Sequence, residues 1–335
     1  MAHKRRGLTG WQVAALAVGG SVGALALANR LASLGVGKPQ NPLRGEEGNY
    51  AWTQGAVHYT VKGQGEPLLL VHGIYAAASS YEYRNVFDLL AQRYRVYALD
   101  LLGFGLSERP PVVYTPQLYI ELIEDFARQV VGAADHPISV LASSLGAAFT
   151  LRAAAERPQL FQRLALIEPT GIEALTGQSD TPARRFWRGF LRTPLLGEGI
   201  YNLLVSRPSI RYYLQTQAYG NREVVSDDML DHYYTTGHQP GGRFAPASFV
   251  SGALNTPTRE AFAMLTERGL PLLLIWGESD RFSPLARLRA FRQIAPAVDV
   301  RIFSSGGLPQ EECPQEFVEQ VSAWLGERIG GGSRA

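Results

Sequence analysis

The chain has 335 residues, 46% of them hydrophobic and 19% charged, a globular composition that excludes a disordered, collagen-like or coiled-coil chain. Thirty-two Lys and Arg against 30 Asp and Glu leave a net charge of +2, too balanced for the one-signed field of a nucleic-acid binder, so no polynucleotide partner is expected. The single cysteine, Cys313, excludes an internal disulfide, and with only six histidines there is no cluster at metal-ligand spacing, so no metal or organic cofactor is implied.

In chain order, the basic start His3-Lys4-Arg5-Arg6 runs into Leu8–Ala28, an uncharged stretch interrupted only by Thr9, Gln12 and Ser21. At a rise of about 1.5 Å per residue, about 20 such residues cross a hydrocarbon core of about 30 Å. Residues 1–34 are therefore read as an N-terminal hydrophobic helix that anchors the protein in a membrane, or as a signal sequence if cleaved near Ala24-Leu25-Ala26; the alternative, a short buried helix packed on the domain, is argued against by the absence of a helical polar face. Basic residues ahead of the segment place the body on the exported side, a bias that Arg30, Lys38 and Arg44 weaken. Lys38-Pro39-Gln40-Asn41-Pro42 and the Gly/Glu run to Gly48 read as an exposed linker over 35–48.

From Asn49, short apolar runs alternate with helical patterns: Leu68–Val71, Val96–Leu99, Ile138–Leu141, Leu164–Ile167, Leu272–Trp276 and Val298–Phe303. Continuous apolarity over four or five residues is what a strand covered on both faces needs, and the alternation predicts a doubly wound, mostly parallel α/β sheet. His58–Val61, before the Gly63-Gln64-Gly65 turn, is expected to add an antiparallel edge hairpin. Between Gly171 and Thr258 the alternation stops, and Arg184–Arg192, Leu195–Val205, Ser209–Tyr219 and Ser226–Tyr234 read as helices without strands. This divides the body into a core over 49–170 and 259–329 and a helical cap over 171–258. Its aromatic residues, Phe186, Trp187, Tyr201, Tyr213, Tyr233 and Phe249 among them, supply either the roof of an apolar pocket or the cap's own core.

Ala142-Ser143-Ser144-Leu145-Gly146 joins the Ile138–Leu141 run to the helical pattern Ala147–Ala155. So sharp a strand-to-helix turn needs small residues two before and two after its apex, and it lifts the apex side chain above the carboxyl edge of the sheet. That marks Ser144 as a candidate nucleophile, although small-x-Ser-x-Gly alone is a frequent accident. Three further segments accompany it in order: Leu68–Val71 running into His72-Gly73-Ile74, Ala98-Leu99-Asp100 into Leu101–Ser107, and Trp276-Gly277-Glu278-Ser279-Asp280 at another strand end. Together they resemble the α/β-hydrolase superfamily, in its helical-cap branch, over Tyr50–Leu325.

The resemblance implies an α/β-hydrolase fold and serine ester or thioester hydrolysis without a cofactor. Ser144 would be the nucleophile and Asp280 the acid that orients a histidine, with the backbone N–H groups of Ile74 and Leu145 as oxyanion hole. A serine apex speaks against the carboxylate nucleophile of dehalogenases and epoxide hydrolases. His72 reads as a structural residue of its turn, Glu168 as an alternative acid, and Cys313 as a packing residue. The family's histidine follows the last strand in a Gly-His-x-Pro turn, whereas this chain has Gly306-Gly307-Leu308-Pro309, with Gly307 at the histidine position. A serine hydroxyl is a poor nucleophile without a neighbouring base. Three readings follow: a hydrolase whose base is His238 of the cap segment Gly237–Gly242; a catalytically inactive pseudo-hydrolase serving as a membrane-associated ligand-binding or scaffold protein; and an otherwise active hydrolase in which Gly307 is the departure. Each expects a small hydrophobic substrate or ligand.

Overall fold

The computed structural model describes residues 23–32, 34, 36–173, 181–281 and 283–327. Strands β1 (Glu46–Trp52), β2 (Gly55–Lys62), β3 (Pro67–Val71), β4 (Arg95–Leu99), β5 (Ile138–Ser143), β6 (Phe161–Ile167), β7 (Leu272–Gly277) and β8 (Asp299–Phe303) form one sheet in the order β1-β2-β4-β3-β5-β6-β7-β8. The β1–β2 and β2–β4 pairs are antiparallel; the remaining pairs are parallel. Each of the six apolar runs is a strand.

The helices of the first half are α1 (23–32), α2 (Phe87–Leu90), α3 (Pro116–Phe126) and α4 (Ser144–Glu156). After β6 come α5 (Pro182–Leu191), α6 (Leu196–Leu204), α7 (Arg207–Tyr213), α8 (Asp227–Gly237) and α9 (Phe244–Val250). They are followed by α10 (Arg259–Glu267), α11 (Leu288–Ile294), α12 (Pro309–Glu312) and α13 (Pro314–Gly326).

Strand β3 shows why uninterrupted apolar runs are needed. Successive side chains point to opposite faces, so Leu68 and Leu70 enter a core with Phe87 and Leu90 of α2 and Phe317, Val321 and Trp324 of α13. Leu69 and Val71 enter the opposite core, built with α3, α4, α10 and α11. There the rings of Tyr119 on α3 and Phe149 on α4 stack 5.1 Å apart. Helix α3 starts where the Thr115 side chain accepts the Leu118 N–H at 3.1 Å and Pro116 takes the first turn, where no backbone donor is required. The cap carries a third core in which Tyr201, Tyr219 and Tyr233 pack with Val205, Ile210 and Met229.

The edge hairpin forms on the other side of β2 from the one expected. Glu46–Gly48, read as linker, begins strand β1, which pairs with β2 from Glu46↔Val61 to Trp52↔Gly55. Packing holds it there: Tyr50 meets Phe126 edge-on at 6.0 Å, and the Trp52 indole N–H donates to Asp125 at 3.0 Å. Past the Gly63–Gly65 turn the chain crosses to β3, and the second neighbour of β2 is β4.

The membrane anchor expected over residues 1–34 is corrected. No helix of the described residues is long and apolar enough to cross a membrane, so the anchored, exported placement built on such a helix falls with it. Residues 8–22 of the Leu8–Ala28 stretch lie outside the described residues. The described part, α1, lies on the cap. Asn29 is buried there, donating from Nδ2 to the Leu195 carbonyl at 2.9 Å and accepting from Asn202 at 3.2 Å, and Tyr234 donates to the Ala32 carbonyl at 2.9 Å. This polar, protein-facing contact begins one residue beyond the apolar stretch.

Candidate active site

The strand order reverses at β3, whose neighbours are β4 and β5. The loops after β3 and β5 therefore diverge at one crevice at the carboxyl edge of the sheet, where open α/β sheets place their sites. Ser144 stands there with φ 51°, a left-handed conformation that costs a non-glycine residue about 1–2 kcal/mol. The turn works because Gly146 has no side chain: a Cβ at that position would lie 2.2 Å from the His72 carbonyl oxygen. Ala142 is fully buried beneath the turn. Leu145 then occupies the first turn of α4, where backbone N–H groups have no partner within the helix and a developing negative charge is favoured.

His72 holds the facing loop. Its Nδ1 lies 2.6 Å from the Gly73 carbonyl and its Nε2 accepts the Leu101 N–H at 3.0 Å, while burial lowers its pKa, so the ring is neutral and shaped into the turn. Asp100 is likewise part of the scaffold, accepting from the amides of Ser80 at 2.7 Å and Leu106 at 2.9 Å. Burial opposes its ionisation, but His58, whose Nδ1 lies 3.3 Å from Oδ2, and the Leu106 amide hold its carboxyl down at about 2. Gly105, at φ 52°, passes so close that a Cβ would lie 2.2 Å from the Asp100 Cγ, which explains the glycine of that loop.

At the neighbouring strand ends, Glu168 follows β6 and Asp280 follows β7. Glu168 also has positive φ, 47°; its Oε1 accepts the Gly277 N–H at 3.0 Å and its amide donates to Ile275 at 2.9 Å. Burial, the hydrogen bond with Asp280 and the Asp280 charge together push its pKa well above the carboxylate range. Asp280 accepts the Ser283 N–H through Oδ2 at 2.6 Å. Gly307, beyond β8, faces both carboxylates: a Cβ there would lie 3.2 Å from Asp280 Oδ1 and 3.3 Å from Glu168 Oε2. The loop is fixed, since the Gly307 amide donates to the Ala218 carbonyl at 2.9 Å and the Glu312 carboxylate accepts the amides of Gly306, Gly220 and Asn221.

Ser144, Glu168, Asp280 and Gly307 line one cavity of about 160 Å³. Ser144 also lines an adjoining space of about 330 Å³ together with Ile74 and Leu145. A third cavity, about 510 Å³ and walled by Tyr75, Val205, Ile210, Tyr213 and Leu214, shares Tyr213, Tyr233 and Phe249 with the first. Of the cap aromatics, Tyr201 and Tyr219 belong to the cap core, Tyr233 belongs to it and also reaches the Ser144 cavity beside Tyr213 and Phe249, and Phe186 and Trp187 are exposed.

His238 is not brought to Ser144. Its Nδ1 lies 2.8 Å from the Tyr234 carbonyl, its ring sits over Tyr234, and it lines a separate space with Glu198, Asn202 and Gln239. Neither cavity lined by Ser144 includes a histidine among the described residues. Sequence reasoning missed Glu82. Its Oε2 accepts the Gly73 N–H at 3.1 Å, its Oε1 is buried without a partner, and burial pushes its pKa up to about 8. A lone acidic residue between Tyr81 and Tyr83 was the only signal in the string. Among the described residues no group of three His, Cys, Asp or Glu could hold a metal ion.

The class of protein follows from this sheet, elbow and cap. Residues 68–320, more than half of the chain, match the model of the alpha/beta hydrolase family, and the chain belongs to that family. It is 35% identical over 277 residues, 81% of this chain and 87% of the relative, to a 2-hydroxy-6-oxo-6-(2'-aminophenyl)hexa-2,4-dienoic acid hydrolase of Metapseudomonas resinovorans. A haloalkane dehalogenase of Agrobacterium fabrum is 25% identical over 82% of this chain and 90% of its own length. Among solved structures, a thermophilic esterase from Thermogutta terrifontis shares the fold at a TM-score of 0.62 and 20% identity, covering 84% of this chain and 98% of the esterase.

Proposed function

We propose that the protein is a slow acyl hydrolase in which Ser144 attacks the carbonyl of a hydrophobic ester or thioester. The observation that carries this reading is Ser144 itself, held at a strained apex where the cavity it shares with Glu168, Asp280 and Gly307 meets the space lined by Ile74 and Leu145. The amides of those two residues serve as the oxyanion hole. Donors of this kind contribute about 10²–10³ each in rate where they have been removed singly. The aromatic-walled cavity of about 510 Å³ takes the apolar acyl part. Asp280 has the place of the acid that would orient a histidine, and Gly307 stands where that histidine is missing. Loss of the histidine costs about 10⁶ in kcat in a serine protease, with a residual rate that oxyanion stabilisation and binding supply. Slow turnover is the expected consequence, and the placement of His238 gives no support to its acting as a substitute.

A second reading, a hydrolase-fold protein that binds its ligand without turning it over, is favoured by the lack of any histidine lining the Ser144 cavities among the described residues. Hydrolysis of a short-chain chromogenic ester by the full chain separates the two. Weak turnover that Ser144→Ala abolishes supports the acyl hydrolase. Turnover unchanged by Ser144→Ala overturns it, and saturable binding of a medium-chain fatty acid with no turnover supports the second reading.

A further inference from the structure

We infer that the space beside Gly307 is a binding site for an imidazole-class nitrogen base from outside the chain, which completes the proton relay to Ser144. The inference rests on the Ser144 reading and goes beyond it. Its starting point is what the two adjacent glycines do. Gly306 is sterically required, because a Cβ there would lie 2.3 Å from the Gly220 amide nitrogen. Gly307 is not: its φ lies outside the left-handed region, and what its Cβ would meet is the Asp280 and Glu168 carboxylates at 3.2 and 3.3 Å. No left-handed φ calls for glycine there, and the missing side chain leaves the space in front of the two carboxylates open.

That room has the chemistry of a ring site. The Asp280 carboxyl faces this space beside Glu168, where a ring N–H would meet it, and Ser144 lines the same cavity. Glu82 lines it too, buried to 1% exposure and with its Oε1 lacking a hydrogen-bond partner. The walls are rigid, since Glu312 and the Ala218 carbonyl hold the Gly306-Gly307 backbone. Burial raises the pKa of both Glu168 and Glu82, the latter to about 8, which favours their neutral form over the carboxylate a base would need.

The step balances without oxidant or reductant. The neutral ring nitrogen takes the Ser144 Oγ proton as the Oγ–carbon bond forms and the carbonyl pair moves to oxygen. The ring cation, stabilised by Asp280, returns that proton to the leaving oxygen or sulfur as its bond to carbon breaks. Water repeats the sequence on the acyl-serine, giving up one proton to the ring, and releases the acid with Ser144 and the ring restored.

Imidazole is the probe, with the full chain and a short-chain chromogenic ester, after subtraction of the reaction imidazole gives without protein. A saturable rise of at least tenfold is expected, lost in Ser144→Ala. It is also lost in Gly307→Val, which fills the space, and in Gly307→His, whose own ring occupies it. Calorimetric binding of imidazole to Ser144→Ala is read independently of turnover and should disappear in the double variant Ser144→Ala/Gly307→His. Absence of saturable, Gly307-dependent binding overturns the site whatever the turnover, and Ser144-dependent basal hydrolysis would then leave the hydrolase reading standing. Binding without activation, in a chain that Gly307→His also leaves silent, overturns the relay and the hydrolase reading together. An imidazolyl-bearing ester assayed without added imidazole distinguishes a ring carried by the substrate from one free in solution: turnover at the imidazole-saturated rate assigns it to the substrate.

Discussion

Glu82 is a carboxyl group folded into an apolar wall, and its titration is a property of the native state. Its pKa rises from the ordinary 4.5 to about 8, so between those limits the folded chain holds a proton that the unfolded chain has released. Stability is then greatest below about pH 4.5 on account of this group and declines as pH rises towards 8. Glu168 and Glu311, raised chiefly by burial, act in the same direction. Replacing Glu82 with Gln keeps an acceptor for the Gly73 amide and removes the ionisation, so thermal unfolding of the variant should change less between pH 5 and 8 than that of the parent; parallel profiles would refute the assignment. Asp100 sets the acid limit with the opposite sign, because its depressed pKa of about 2 gives stability that is lost as pH falls through that value. A second residue-scale test concerns the elbow. Gly146→Ala puts a methyl against the His72 carbonyl, backbone that cannot swing aside, and should cost about 1–3 kcal/mol in denaturant unfolding.

At the scale of elements, apolar run length was a faithful guide to the inner parallel strands β3 to β7, because a strand with helices on both faces has no side available for polar residues. Edge strands lack that signature. β1 begins in a Gly/Glu segment, and its attachment comes from Tyr50 and Trp52 meeting α3 about seventy residues later in the chain, a contact that no local pattern encodes. Helix α1 teaches the same lesson. Apolar length suggested a bilayer, whereas Asn29, just past the stretch, makes hydrogen bonds to α6 and its preceding loop. Asn29→Ala is expected to speed amide exchange across 23–32 while costing the whole protein about 1 kcal/mol or less. Unchanged protection there would show that apolar contacts alone hold α1 on the cap.

Across the whole molecule, the parallel sheet brings to one edge residues that are far apart in sequence: Ile74, Ser144, Glu168, Asp280 and Gly307 each follow a different strand. Most of that edge was legible, since strand ends can be counted and the elbow has its own spacing. Glu82 and the cap's contributions, Tyr213 and Tyr233, were not, because which aromatic of a helical insertion turns inward depends on packing between helices. His238 shows the converse, a histidine placed attractively in the sequence and directed elsewhere by the fold. On the proposed reading, a competent nucleophile and oxyanion hole lack only a base at position 307. The most direct measurement is kcat/KM for a short-chain ester in Gly307→His beside the parent chain. A rise of about two orders of magnitude or more that Ser144→Ala removes is the predicted result; a folded Gly307→His protein no faster than its parent would contradict it.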